Sequence, residues 1–150
     1  MAARCGGRRM RRDSLHLTLV FIGEVTPAQI DRIRQVAGSV RGEPVALELD
    51  RLGYWPEKRL AWLGCTRVPA SLISLQTRLV EGMASAGLTM DERRYFPHVT
   101  LVRNVRNADL PESLSPVNWK ATGFALVESQ LNPAGAHYQE LGRWSLEKAG

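Results

Sequence analysis

Leu15-His16-Leu17-Thr18-Leu19-Val20-Phe21, followed by Ile22-Gly23, decides how this chain is read, because part of it occurs twice. His16-Leu17-Thr18-Leu19 returns as His98-Val99-Thr100-Leu101 within Phe96-Pro97-His98-Val99-Thr100-Leu101-Val102. With 7 Thr and 19 Leu among 150 residues, a given His precedes x-Thr-Leu roughly 0.6% of the time. Two of the three histidines doing so by accident is on the order of 1 in 10,000. Both stretches alternate with the period of a strand, so each His shares a face with its Thr, about 7 Å away. The leucines and Val99 between them are expected to face the core.

Outward from the first stretch, Gly23 closes the strand predicted over Leu15–Phe21. Thr26 followed by Pro27 is a cap with proline at the first helical position. Ile30, Ile33, Val36, Ala37 and Val40 then recur at helical spacing, predicting a helix through about Gly38. Val45, Leu47 and Leu49 alternate as a second strand, Gly53 to Lys58 is turn-rich, and Leu60 to Cys65 is a third strand. Pro69 starts a second helix with the stripe Leu72, Leu75, Leu79 and Met83, and Gly87 suits its C′ position. Phe96 to Val102 is a fourth strand and Asn104 to Pro116 a polar loop. Phe124–Leu131 and His137–Leu146 form a closing hairpin around Asn132-Pro133-Ala134-Gly135. No stretch has linker composition. The expectation is one α+β domain over 1–150, built from two strand-helix-strand stretches, each with a histidine-bearing strand.

A chain with 44% hydrophobic and 23% charged residues is excluded from the disordered, collagenous and coiled-coil classes. Its net charge of +5 is uneven: Arg4, Arg8, Arg9, Arg11 and Arg12 fall in the first twelve residues, and the remaining 15 basic and 15 acidic residues balance. Residues 1–12 are therefore read as a solvated basic arm, with RNA steering as the second reading. The longest nearly apolar run, Leu17 to Ile22, falls far short of the roughly 20 residues of a spanning helix, and no secretory leader stands before it. The expected location is the cytoplasm, with no membrane partner. Cys5 and Cys65 lack metal-ligand spacing and read as a tail thiol and a small buried residue.

Two imidazoles with ordinary pKa values near 6.5 can divide the two proton transfers of a displacement at phosphorus, one acting neutral and one protonated. Threonine hydroxyls can hold the non-bridging oxygens without adding charge. No carboxylate cluster of metal-binding spacing accompanies them, so neither metal nor cofactor is expected. The bland readings go to other residues. His137 has no Thr partner and reads as a surface residue. Trp55, Trp62, Trp119 and Trp144 are too dispersed to form a stacking platform and read as packing, although Tyr54 and Trp55 lie in a loop able to stack on a base. Tyr95 or Phe96 is expected to border the cleft. Ser14 has no nucleophile-elbow context.

The chain resembles the 2H phosphoesterases, named for two His-x-Thr-x motifs, and among them the LigT-like RNA 2′,3′-cyclic phosphodiesterases of the 2′-5′ RNA ligase family. Three blocks carry the likeness: Asp13-Ser14-Leu15-His16-Leu17-Thr18-Leu19 with Phe21 to Val25, Phe96 to Arg103, and Glu128-Ser129 with Leu131, Gly135, Tyr138 and Leu141. Together they span about residues 6 to 146. The resemblance implies a bilobal, pseudo-symmetric pair of antiparallel sheets with helices outside and a central cleft. It implies hydrolysis of RNA or nucleotide 2′,3′-cyclic phosphate ends to a 2′-phosphate, with His98 as base and His16 as acid. Thr18 and Thr100 would bind the phosphate, with Arg103 as the basic residue shortly after the second motif. Arg103 has the wrong parity to share the His98 face on an ideal strand, so its role requires the strand to end or bend near Val102. The alternatives are 2′-5′ RNA ligation, cleavage of 2′-5′ oligonucleotides, or an RNA-end binding module with impaired turnover. Members of the family begin with a further strand and helix. Either the start is assigned too late here or one lobe lacks a strand, and the second case would leave an open sheet edge, inviting a homodimer, strand exchange or weakened activity.

Overall fold

The computed structural model describes residues 2–91 and 93–148, and the chain divides into two compact units. One comprises Val20–Ala46, Pro69–Arg93 and Lys120–Gly150. Its helix α2 (Pro27–Ser39) starts as the sequence predicts. The Thr26 hydroxyl accepts from the Gln29 amide at 3.3 Å, and the Gln29 side chain accepts from the Thr26 amide at 2.8 Å, a reciprocal capping box. Helix α3 (Ala70–Ser85) buries Leu72, Leu75, Leu79 and Met83 along one face. It ends in a Schellman turn: Gly87 at φ 79° donates to Ala84 O at 3.0 Å, and Leu88 donates to Met83 O at 3.0 Å. The hairpin β7 (Gly123–Asn132) and β8 (Gly135–Ser145) turns through Pro133-Ala134. His137, on β8, is exposed as expected.

The other unit comprises Met1–Leu19, Leu47–Val68 and Arg94–Trp119. It holds an antiparallel four-stranded sheet in the order β1-β5-β4-β3, formed by β1 (Arg8–Arg9), β5 (His98–Arg103), β4 (Leu60–Gly64) and β3 (Arg51–Trp55). Beneath it, Cys5, Ala61, Val102 and Val105 form a core, with Tyr54, Leu101 and Leu110 packed against them. Burying each of the two valines is worth about 1.5–3 kcal/mol. The remaining strands, β2 (Val45–Leu49) and β6 (Val117–Ala121), pair as a two-stranded sheet.

The structure departs from the sequence reading at four points. The strand predicted over Leu15–Phe21 is absent: Leu17 alone bridges to Val99, and Phe21 is 68% exposed. A 3₁₀ turn at Arg12–Ser14 interrupts the segment before the bridge. Beyond it the facing chain reaches Pro97, which has no N–H to continue a ladder. Gly53 to Lys58 is not one turn either. Its first part belongs to β3, and the reversal is Pro56–Arg59, with Arg59 at φ 52°. Strand β6 went unforeseen because four of its five residues are exposed and give no alternation.

The fourth correction concerns the basic arm, which is built into the sheet. Ala2–Cys5 forms the short helix α1, Arg4 pairs with Asp109 at 2.6 Å, and Cys5 is 0% exposed in the core rather than a tail thiol. Arg8 pairs with Arg103 and Arg9 with Val102 across β1 and β5. Gly7 permits this approach, since a Cβ there would lie 2.5 Å from the Val102 side chain. β1 and the Leu17 bridge lie along one side of β5. No described helix is long and apolar enough to cross a membrane.

Candidate active site

Both His-x-Thr motifs lie in the same unit, and one antiparallel bridge sets their relation. With Leu17 opposite Val99, the register places His16 across from Thr100 and Thr18 across from His98. Directly opposed residues project from the same face with Cβ atoms about 4.5–5.5 Å apart, and the diagonal histidines are separated by about 7–8 Å. Val99, on the other face, is buried. The expectation of two motif strands facing one space becomes a strand and a bridged segment side by side.

The two imidazoles are held in the same way. His98 Nδ1 lies 2.8 Å from the Phe96 carbonyl, and His16 Nδ1 lies 2.7 Å from the Ser14 carbonyl. A carbonyl only accepts, so in each ring Nδ1 carries the proton. His98 is half-buried and His16 exposed. Burial depresses the His98 pKa, with the positive charges of Lys58 and His16 adding to it, against the Phe96 bond that favours the charged ring. The Tyr95 hydroxyl donates to the Thr18 carbonyl at 3.2 Å, tying the first motif to the approach to the second.

Arg103 reaches the site face through an irregularity in β5. Thr100 pairs with Trp62 and Val102 with Ala61, leaving Leu101 as the extra residue of a β-bulge. One extra residue reverses the alternation. Val99 and Val102, three apart, are consequently both buried, and Arg103 rejoins the face of His98 and Thr100. The bend expected near Val102 is this bulge.

Sequence reasoning missed the aromatic wall beside His98. The β3–β4 register brings Trp55 and Trp62 together at 5.3 Å, Phe96 packs edge-on to Trp62 at 4.8 Å, and Trp55 meets the His98 ring at 4.7 Å and 77°. Lys58 Nζ sits 4.7 Å over Trp55. The pairing of a Trp-bearing strand with a second Trp-bearing strand was the available signal, but it required β3 to be recognised. Trp55, Tyr95 and Phe96 also line a cavity of about 580 Å³ with Arg51 and Arg94. Phe96 is 39% exposed.

The family described as the 2′-5′ RNA ligase superfamily matches residues 2–133. RNA 2′,3′-cyclic phosphodiesterase of Escherichia coli is 34% identical over 141 residues, 93% of this chain and 80% of that protein. The protein of the same name from Methanothermobacter thermautotrophicus is 31% identical over 86% of this chain and 77% of its own length. The crystal structure of E. coli LigT complexed with 3′-AMP aligns with a TM-score of 0.86 at 34% identity, covering 95% of this chain and 82% of that one.

Proposed function

Since the chain belongs to the 2′-5′ RNA ligase superfamily, we propose that it is an RNA 2′,3′-cyclic phosphodiesterase that opens the ring to a 2′-phosphate by two-histidine acid–base catalysis. The observation that carries this reading is the antiparallel bridge from Leu17 to Val99, which sets the two His-x-Thr motifs side by side. A cyclic phosphate seated between the two pairs has an imidazole Nε2 on each side and a hydroxyl beside each imidazole. His98 Nε2 takes a proton from water as its oxygen bonds to phosphorus. The P–O3′ bond breaks on the opposite side, and His16 Nε2 delivers a proton to O3′, leaving a free 3′-hydroxyl. Thr18 and Thr100 hold the non-bridging oxygens, and Arg103, further along β5 on the same face, adds its positive charge to the substrate's phosphates. The capture of 3′-AMP by E. coli LigT supports nucleotide and RNA ends as the substrate class. By microscopic reversibility, a 5′-hydroxyl in place of water gives the 2′-5′ linkage of the ligase reaction.

The proton transfers need no metal, so hydrolysis of a 2′,3′-cyclic nucleotide is expected to persist in EDTA and to yield the 2′-phosphate by ³¹P NMR. Turnover only after metal addition, a 3′-phosphate product, or an inert folded protein would each overturn the reading.

The base must be neutral, and the His98 pKa is depressed by burial. The ratio kcat/KM is therefore expected to fall on acidification through a midpoint below the ordinary histidine value of about 6.5. Removing the Lys58 charge with Lys58→Gln makes the imidazolium less unfavourable. It is expected to move that midpoint upward by roughly a few tenths of a pH unit at low salt, with the plateau rate retained. A downward shift contradicts His98 as the group seen in the acidic limb.

A further inference from the structure

The two-residue strand β1 puts a second cation on the site face. Arg8 stands directly opposite Arg103, while Arg9 stands opposite the buried Val102. Cross-strand partners share a face, and the Leu101 bulge has already brought Arg103 onto the face of His98 and Thr100. Arg8 therefore belongs to that face and Arg9 to the other. Like charges directly opposed on neighbouring strands are unfavourable unless an anion lies between them. Among the described residues no acidic side chain forms an ion pair with Arg8 or Arg103, whereas Arg4 is paired with Asp109 and Arg11 with Asp13. Arg8 is exposed and Arg103 half-buried, as suits a pair open to a ligand on one side.

The pair also has a direction. Passing from Thr100 to Arg103 with one residue taken up by the bulge is a step of about 7 Å along β5, away from His98. An RNA chain whose terminal cyclic phosphate lies at the histidines, and which runs on along β5, brings its next phosphodiester to the two guanidiniums. We propose that Arg8, with Arg103, forms a subsite for the internal phosphodiester preceding the cyclic end, so that the protein distinguishes an RNA terminus from a free cyclic nucleotide. This rests on the activity proposed above. Guanidinium forks suit a phosphate held in two-point contact, and a subsite one nucleotide from the reacting phosphorus adds binding only when the substrate has a second phosphate.

The test compares a nucleoside 2′,3′-cyclic phosphate with a trinucleotide ending in the same group, on the full chain and its Arg8→Gln, Arg8→Lys and Arg9→Gln variants. Arg8→Gln is expected to lower kcat/KM for the trinucleotide about 10-fold, mainly through KM, the loss of one charged hydrogen-bonding contact. It leaves the mononucleotide unchanged. It also reduces the dependence of log affinity on log salt for the trinucleotide by about one charge. Arg8→Lys recovers part of the loss, and Arg9→Gln, which removes the same charge from the opposite face, leaves both substrates unaffected. Equal losses on both substrates, an equal loss from Arg9→Gln, or no loss would overturn the subsite. If the unaltered protein hydrolyses neither compound, the activity reading fails separately. Binding of a trinucleotide carrying a terminal 2′-phosphate then decides the subsite: about 10-fold weakening by Arg8→Gln sustains it and unchanged binding overturns it.

Discussion

Replacing either motif histidine is expected to lower kcat on a 2′,3′-cyclic nucleotide by about 10²–10⁴-fold, the range for loss of a general acid or base. The double replacement is expected to cost little more than the worse single one, because base and acid act in one displacement and their losses do not add. The two variants separate when the bridging O3′ is replaced by sulfur. A thiolate leaves without a proton, so the acid becomes dispensable while attack by water still needs the base. His16→Ala should then recover most of its activity, and His98→Ala should remain impaired. The opposite pattern would exchange the roles, and recovery by neither would remove the acid–base division. Because Trp55 lies 4.7 Å from the His98 ring, His98→Gln serves beside His98→Ala to keep the packing. Its loss of kcat at an unchanged unfolding temperature distinguishes chemistry from collapse of the aromatic wall.

The chemistry was legible because it is written in residue types that rarely coincide, His-x-Thr twice in one chain. The helices were legible because caps, stripe and terminal glycine are local signals, and α2 and α3 carry all of them between them. What escaped was set by pairing partners. Leu15–Phe21 has the alternation of a strand but meets a neighbour that begins after Pro97, so one bridge forms where seven residues were expected. The arginines of residues 4–12 look like a solvated arm until Cys5 and Gly7 are seen to anchor them against Val102 and Val105. The Leu101 bulge is invisible to a period-2 reading. It alone reconciles Arg103 with the face of His98, and the same parity gives Arg8 its place.

Gly53 offers the sharpest contrast between propensity and packing. A glycine inside a strand ordinarily gains about 0.5–1 kcal/mol on replacement by alanine, through the lost freedom of the unfolded chain and better strand formation. Here Gly53 pairs with Trp62, and a Cβ on it would lie 2.0 Å from the indole. Trp62 cannot simply slide away, because its ring is edge-on to Phe96 at 4.8 Å and against Trp55 at 5.3 Å. Gly53→Ala is therefore expected to destabilise the protein, by about 1–3 kcal/mol for an overpacked site, which lowers the melting temperature of a chain this size by several degrees. Adding Trp62→Leu frees the space over residue 53. In that background Gly53→Ala should regain the ordinary sign and stabilise, giving a coupling of at least about 1 kcal/mol between the two positions. Additive effects would mean that the ring is not seated on the glycine. Since Trp55 also borders His98, the single variant should disturb the catalytic face as well as the melting temperature, and the double variant separates the two. If activity stays low once stability is regained, the indole itself holds the wall beside His98. If activity returns, the wall needs only the space that Gly53 leaves open.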